Sequence, residues 1–439
     1  MSSLPQEKIA LHWFRRDLRW HDNRALHAAL DSGHAVLPFF VFDRAILDDL
    51  NAKDDSRVTF LHDRLTSMDG QARAHGSGMW VEHGHPLDVL TSLCDRFDVA
   101  EVHTNEDYEP YASKRDANVR EALKALGVAF HTHKDHVVKA PGEVTKPDGL
   151  PYTVFTPYSK RWHANLVEAD LKSAPSENHL DALVVWGGKD VPSLQTMGFQ
   201  RSAIEAPEAL VELDVLKHYA DKRDLPATRG TTRISVHLRF GTVSIRELAK
   251  LGFKHSEKWL TELIWRDFYQ TIIHAFPHSA KDAFKPKYDR IPWRHDDAHF
   301  EAWKSGMTGY PLVDAGMREL NATGFMHNRV RMVVASFFCK HLLLDWRLGE
   351  RYFAEKLLDF ELASNTGGWQ WASGSGCDAA PYFRVFNPTS QLEKFDKQLA
   401  YVHKWVPEFG TSRYPAPIVE HKMARQRAID TYKQALASG

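Results

Sequence analysis

Apolar positions in the first 135 residues fall in short unbroken runs separated by stretches of helical spacing. Ile9–Phe14 (IALHWF) and Ala35–Phe42 (AVLPFFVF) are the kind of run that a parallel strand covered on both faces requires. Gly78–His83, Val99–His103 and Ala129–His133 read as further strands. Between them, His21–Leu30, Val58–His75, Pro86–Phe97 and Lys114–Leu126 repeat apolar residues at the helical period. This alternation predicts an α/β domain over 1–134, a doubly wound parallel sheet of the kind that binds ligands beyond the strand C-termini. From about Ala140 the pattern stops. Pro141, Gly142, Pro147, Gly149, Pro151 and Pro157 break regular structure, and 135–200 reads as a long connector with a few helical pieces. Beyond it the periodicity is helical: Pro207–Lys222, Ser244–Leu251, Ser256–Phe276, Tyr310–Thr323, Asn328–Cys339 and Glu350–Leu358. A larger all-α domain is therefore expected over 201–439.

Composition narrows the class. The chain has 439 residues, 43% hydrophobic and 26% charged, values of a globular protein rather than a disordered or fibrous one. No apolar run approaches the ~18 residues of a membrane span, and Met1–Lys8 lacks the apolar core of a signal peptide. Three well-separated cysteines (Cys94, Cys339, Cys377) fit a reducing, cytoplasmic setting better than a disulfide framework. The net charge of −1 conceals a split: 201–439 hold 34 basic against 28 acidic residues, a net of +6, which leaves −7 for 1–200. The second half can therefore face a polyanion, although ordinary variation between domains would give the same figures.

Several candidate chemistries are weak. His131, His133 and His136 (HTHKDH) lack a Cys or carboxylate at zinc spacing, so they read as surface histidines, as do His83 and His85, and no metal site is expected. Gly374-Ser375-Gly376 has neither the strand nor the lysine of a phosphate loop. Arg15-Arg16-Asp17-Leu18-Arg19 reads as a solvated loop after the first strand. Three segments are richer. Glu262, Trp265 and Tyr269 share one helix face, and an acid beside two aromatics suits a pocket that stacks a base and bonds its edge. Asn328 and Met332 are one turn apart, with Arg331 able to hold an anion. The run Asn365–Pro388 (NTGGWQWASGSGCDAAPYFRVFNP) joins small residues, which admit close backbone approach, to tryptophan stacking surface; a tightly packed helix–loop core would share that composition.

Together these segments resemble the DNA photolyase/cryptochrome family, and look closest to bacterial class I cyclobutane pyrimidine dimer photolyases. The resemblance runs through Leu11–Leu26, Gly230–Gly241 (GTTRISVHLRFG), ELIWRDFY at 262–269, Thr308–Leu320, Gly324–Phe337, Asp345–Phe353 and Asn365–Pro388, nearly the whole chain. It implies light-driven repair of cyclobutane dimers by an electron from excited reduced FAD to a flipped-out dimer. The alternative on this scaffold is a blue-light receptor without repair activity, against which the dimer-pocket residues and the absence of a long C-terminal tail count. The FAD positions implied are Tyr219, Thr231, Thr232, Arg233, Ile234, Ser235, Trp259, Asn328, Arg331, Asp359, Glu361 and Asn365. Arg331 and Asp359 would pair beside the flavin ring. Asn365 would face its N5, where an amide can donate or accept.

For the dimer the resemblance implies Glu262, Trp265, Asn328, Met332 and Trp371, with Glu262, Asn365 and Met332 nearest the chemistry. Arg266, Tyr269, Arg329 and Arg384 would complete the DNA-facing set, with Glu262 protonated or sharing a proton. Trp369, Trp346 and Trp293 match an electron relay from flavin to solvent. Trp369 and Trp371 are two apart, about 200° around a helix, so they should face different ways. The (6-4) photolyases carry histidines at the positions of Asn328 and Met332, which argues against that substrate. Thr366 and Phe325 replace an Asn and a Trp common in relatives. Tyr111-Ala112 stands where folate-binding relatives carry Asn-Glu, which tilts the expected antenna chromophore from methenyltetrahydrofolate toward a deazaflavin, or toward an empty site. The expected partner is damaged DNA, single- or double-stranded, engaged by a monomer without membrane attachment.

Overall fold

The structure, a computed structural model, describes residues 7–437; residues 1–6 of the polar N-terminus lie outside them. The chain divides into two compact units. One comprises 1–143, 165–209 and 234–254; the other comprises 144–164, 210–233 and 255–439. Residues 234–254, which periodicity alone assigns to the helical domain, thus belong with the sheet. Parts of the 135–200 connector are shared out between the units.

In the first unit, five strands, β1 (Ile9–Phe14), β2 (Ala35–Asp43), β3 (Trp80–Gly84), β4 (Val99–Asn105) and β5 (Ala129–His133), form one parallel sheet in the order β3-β2-β1-β4-β5. That is the doubly wound order. Ile9, Leu11, Trp13, Leu37, Phe39, Val41 and Val102 build a core with the crossover helices. Pro38 is tolerated inside β2 because the ladder to β3 begins only at Phe39, so its missing N–H costs no bond on that side.

The order reverses between β1 and β4, where such sheets usually receive a ligand. Here the chain's own charges occupy the position. Arg15-Arg16-Asp17-Leu18-Arg19 is not a solvated loop: Asp17 is 2% and Arg19 1% exposed. Asp17 accepts from the side chains of Asn23 (2.9 Å) and Asn105 (2.7 Å), and Arg15 donates to the Asn105 carbonyl. Behind them Asp135 accepts from Arg19 (2.7 Å) and Arg246 (2.8 Å), and Arg246 also donates to Asp22 (3.1 Å). These contacts fasten 234–254 to the sheet. Burial alone would raise the Asp135 carboxyl, but the two guanidiniums outweigh it and hold it well below the usual carboxylate range. Gly241 (φ +63°) allows the same approach, since a Cβ there would lie 1.9 Å from the Arg16 carbonyl oxygen.

The second unit is helical. Its core gathers Trp303, Val313, Leu320, Val330, Phe338, Trp346, Phe353 and Trp369. The helix expected at Asn328–Cys339 runs as α-helix over Asn328–Ser336 and continues as a π-helical turn to Leu342. The expected helix Pro207–Lys222 shrinks to Leu213–Lys217 and Tyr219–Lys222. The run Leu362–Ser373, which carries no amphipathic stripe, is a helix. It lies against the Trp346–Lys356 and Glu257–Ala275 helices through two glycines. A Cβ on Gly349 would lie 2.1 Å from the Trp369 ring, and one on Gly367 would lie 2.4 Å from the Tyr269 ring. Its last carbonyls are capped from outside: Lys340 Nζ and Tyr432 Oη both donate to the Ser373 oxygen at 2.8 Å. Burial pushes the Lys340 ammonium down to about 7.

Two outcomes test this frame. Asp135→Asn should cost ~3–5 kcal/mol near pH 7, because it leaves buried guanidiniums short of a counter-charge. The depressed carboxyl contributes stability above the unfolded value and loses it as the pH falls below about 4, so the variant should show a flatter acid limb. Hydrogen exchange at the β1 and β4 amides reports both. Gly367→Ala should lower stability by about 1–3 kcal/mol through the ring contact. Adding Tyr269→Leu should restore part of it, giving a non-additive thermal-melting cycle; additive losses would break the assignment.

Candidate functional site

A cavity of about 410 Å³ opens in the helical unit. That volume lies within the range of small-molecule and cofactor sites. It gathers positions widely separated in sequence: Glu262, Trp265, Arg266 and Tyr269 from the Glu257–Ala275 helix; Asn328, Arg329, Arg331 and Met332 from the Asn328–Ser336 helix; and Asp359, Glu361, Asn365, Trp369 and Trp371 in or just before the Leu362–Ser373 helix. The first two of these helices start on a side-chain cap that fixes their entry. The Ser256 hydroxyl accepts from the Trp259 N–H, and His327 Nδ1 accepts from the Arg329 N–H at 3.2 Å.

Charge in the cavity is organised by pairs. Arg331 donates to both carboxylate oxygens of Asp359 (2.9 and 3.1 Å), while its Nε donates to the Met326 carbonyl at 2.7 Å. Arg266 donates to Glu361 at 3.0 Å, and the Ser364 hydroxyl donates to the other Glu361 oxygen at 2.8 Å. Glu262 is paired with Arg223, whose guanidinium donates to it. Burial lowers the Arg223 pKa, but the charge and hydrogen bond of Glu262, with Tyr219 and Asp224, together outweigh it, so this residue, which sequence reading missed, holds its proton more tightly than usual. Arg223 thus stands as the guanidinium partner of Glu262 in this structure. Arg329 is likewise engaged, with Asp224 at 2.9 Å and over the Phe395 ring at 4.5 Å.

The Asn365 amide is oriented. Its Nδ2 donates to a Glu350 carboxylate oxygen at 2.8 Å and to the Glu350 carbonyl at 3.1 Å, which leaves Oδ1 as its acceptor. Burial pushes the Glu350 carboxyl upward, against the bonds from Asn365 and Thr366. Glu350 is a second residue that sequence reading missed. Its helix was expected, but nothing in the spacing shows that its side chain meets the next helix.

The tryptophans divide as their spacing predicts. Trp369 is 2% exposed and edge-on to Phe353 (5.0 Å), Phe338 (5.6 Å) and Trp303 (6.1 Å), and its indole N–H has no hydrogen-bond partner. Trp371 is only partly buried and tilts against Phe386 at 6.1 Å. Trp346 is buried in the Trp369 core, and Trp293 packs on that core and against Tyr432. Trp265 stacks on Phe155 at 3.6 Å and 5°.

Other expected positions lie outside the cavity lining. Trp259 donates to the Thr232 hydroxyl at 3.3 Å. Tyr219 is buried beneath Arg223, and Arg233, in a left-handed conformation (φ +51°), covers the Phe325 ring at 4.5 Å. Thr231 is partly buried. Ile234 and Ser235 begin a six-residue helix of the sheet-bearing unit. Arg384 is exposed over Phe386.

The residues fit a flavin. A guanidinium–carboxylate pair, an oriented amide and an apolar wall of Ala335, Phe353 and Leu357 suit a flat ring with a polar edge. Gly368 faces open space: an added Cβ there would meet nothing within 4 Å, so a side chain would fill the cavity.

Comparison with known proteins agrees. Residues 259–413 match the model of the FAD binding domain of DNA photolyase, and 10–177 match the DNA photolyase model. The deoxyribodipyrimidine photo-lyase of Halobacterium salinarum is 37% identical over 97% of this chain and 99% of its own length. That of Escherichia coli is 35% identical over 97% and 98%. A class III photolyase structure from Agrobacterium tumefaciens superposes with a TM-score of 0.89 at 31% identity, covering all of both chains. An archaeal photolyase from Sulfolobus tokodaii, solved with two FAD molecules, gives 0.80 at 32% identity over 97% of this chain and 99% of its own. With the cavity, its paired charges and these full-length likenesses in agreement, the chain belongs to the DNA photolyase family.

Proposed function

We propose that this chain is a light-driven, FAD-dependent lyase that reverses cyclobutane pyrimidine dimers in DNA. The observation that carries the reading is one cavity lined by both the flavin-type set (Arg331–Asp359, Asn365) and the dimer-type set (Glu262, Trp265, Asn328, Met332, Trp371). Bound FAD supplies light-driven one-electron donation, which opens the two carbon–carbon bonds joining the bases and takes the electron back afterwards.

The protein's part is positioning. The Arg331 guanidinium favours an anionic reduced ring beside it, and Asp359 holds that guanidinium in place. Asn365 Oδ1, fixed by Glu350, accepts from an N–H at the ring edge. Trp265 and Trp371 offer faces to the flipped bases, and Met332 offers a polarizable wall. Glu262 accepts from a base N–H, with Arg223 aiming its side chain. Flipping costs least at a damaged step, which supplies part of the selectivity.

The same reading has Trp369, Trp346 and Trp293 carry electrons to oxidised flavin, supported by their shared core. It has the chain act as a monomer on single- or double-stranded DNA in a reducing compartment, in keeping with three unpaired cysteines. A second, antenna chromophore belongs to it as well: a deazaflavin, a folate, or a second FAD of the kind seen in the Sulfolobus relative.

The test is loss of thymine dimers from a defined oligonucleotide under blue light, with a (6-4) product as control. Repair of the (6-4) product, or of neither lesion, overturns the reading. Paired variants separate the roles. Trp369→Phe should photoreduce oxidised flavin far more slowly, yet repair at near the wild-type yield once chemically reduced. Glu262→Ala should photoreduce normally but bind or repair dimers about tenfold to hundredfold worse, the scale of a lost hydrogen bond to a charged group. Normal photoreduction in the first variant removes the relay, and wild-type repair in the second removes the pocket role. Glu350→Gln should preserve fold and FAD content but shift the pH dependence of the flavin spectrum, because its amide can turn a donor toward Asn365. An unchanged pH profile removes Glu350 from this function.

A further inference from the structure

We propose that Glu101, His103 and His131, on one face of the sheet-bearing unit, form a binding site for a divalent first-row transition-metal ion of the zinc class. In the parallel β4–β5 register His103 stands opposite His131, and Glu101 precedes His103 by two, so all three side chains leave the same face. Sequence spacing hides this arrangement. HTHKDH has no carboxylate nearby in the chain, and strand pairing supplies one from β4.

One donor atom from each residue lies within 4.8 Å of the others. Glu101 Oε2 is 3.1 Å from His131 Nε2, and Glu101 Oε1 is 3.4 Å from His103 Nε2. Ligands about 2.0–2.2 Å from a tetrahedral ion sit roughly 3.3–3.5 Å apart, so two pairs already have the spacing and the half-exposed His131 side chain can close the third.

A second observation is independent of that spacing. His103 is 5% exposed, and its buried Nε2 has no hydrogen-bond partner. Its other nitrogen is accounted for, with Nδ1 3.2 Å from His133 Nε2. With the proton on His103 Nδ1 and donated to His133, the Nε2 lone pair lies on the side of Glu101, 3.4 Å away. A hydrogen bond at the far ring nitrogen that fixes the tautomer and orientation of a ligating imidazole is the usual support of a metal site, and His133 supplies it here. The Ser32 hydroxyl bonds Glu101 and positions its carboxylate. Two imidazoles and one carboxylate select zinc, nickel or copper over calcium or magnesium, which want oxygen ligands. The ion would tie the edge strand β5 to β4 and leave a coordination position to water.

The test uses the full chain with its flavin retained, stripped of metal by a chelator and dialysed against zinc. The wild type should bind one zinc per chain and melt at a higher temperature with zinc than without. His131→Ala, at an exposed position, and Glu101→Gln should each weaken binding by at least about tenfold, the scale on which even outer partners act. They should also lose the zinc-dependent rise in melting temperature, while Cys94→Ser should change neither. Flavin content checks that every variant is folded. A wild type that holds no stoichiometric zinc, variants that bind as tightly as the wild type, or a Cys94→Ser variant that loses the metal would each overturn the site.

Discussion

The helical unit depends on how closely one helix approaches its two neighbours. Leu362–Ser373 is pressed against the Trp346–Lys356 helix where Gly349 receives the Trp369 ring, and against the Glu257–Ala275 helix where Gly367 receives the Tyr269 ring. Any side chain at either glycine would displace an aromatic ring that lines or backs the cavity. The glycines carry a cost, since each weakens its own helix by up to ~1 kcal/mol. The return is placement. The Glu350–Asn365 bond, the buried Trp369 and the cavity-facing Trp371 follow from that approach. Lys340 and Tyr432 hold the far end of the same helix on the Ser373 carbonyl, so the last helix of the chain, His421–Ala437, also serves the site.

Charge is the second organising constraint, and it works by commitment. The arginines of the cavity that could meet phosphate or flavin are already paired: Arg223 with Glu262, Arg329 with Asp224, Arg331 with Asp359 and Arg266 with Glu361. Ion pairs of this kind, partly exposed or buried, add little net stability. They hold planar guanidiniums at fixed angles, which a site that must position two flat ligands requires. The sheet-bearing unit uses the same device for a different end, with Arg15, Asp17, Arg19, Asp22, Asp135 and Arg246 bonded to one another and to backbone.

Much of this was legible in the sequence, for identifiable reasons. All five strands were, most plainly β1 and β2, which are covered on both faces and carry continuous apolar runs, and so were the amphipathic helices around Glu262 and Asn328. What escaped has a physical cause in each case. Leu362–Ser373 faces protein or cavity on nearly all sides, so it shows no stripe. Residues 234–254 join the sheet through ion pairs that no periodicity records. Arg223 and Glu350 sit in ordinary helical positions and acquire their roles only from what the fold places opposite them. His103 and Glu101 were invisible as a cluster because strand register, not spacing, unites them with His131. Burial pushes His103 and His133 down to about 4, so both imidazoles are neutral near pH 7.

The two tryptophans of the Leu362–Ser373 helix show how one element can place two like side chains in different surroundings. Both line the cavity, yet they stand about 200° apart on the helix and so meet different surroundings. Trp369 is enclosed by Trp303, Phe338 and Phe353, an aromatic shell. Trp371 leans on Phe386 and stays partly open, the condition for stacking a base that arrives from solvent. Gln370 between them anchors the helix from the side: its amide donates to the Ser279 and Asp282 carbonyls and accepts from the Phe284 N–H. A rotation of the helix about its axis would break those three bonds before it could exchange the surroundings of the two tryptophans. Their separate placement is thus held by one buried amide and two glycines, rather than by either tryptophan.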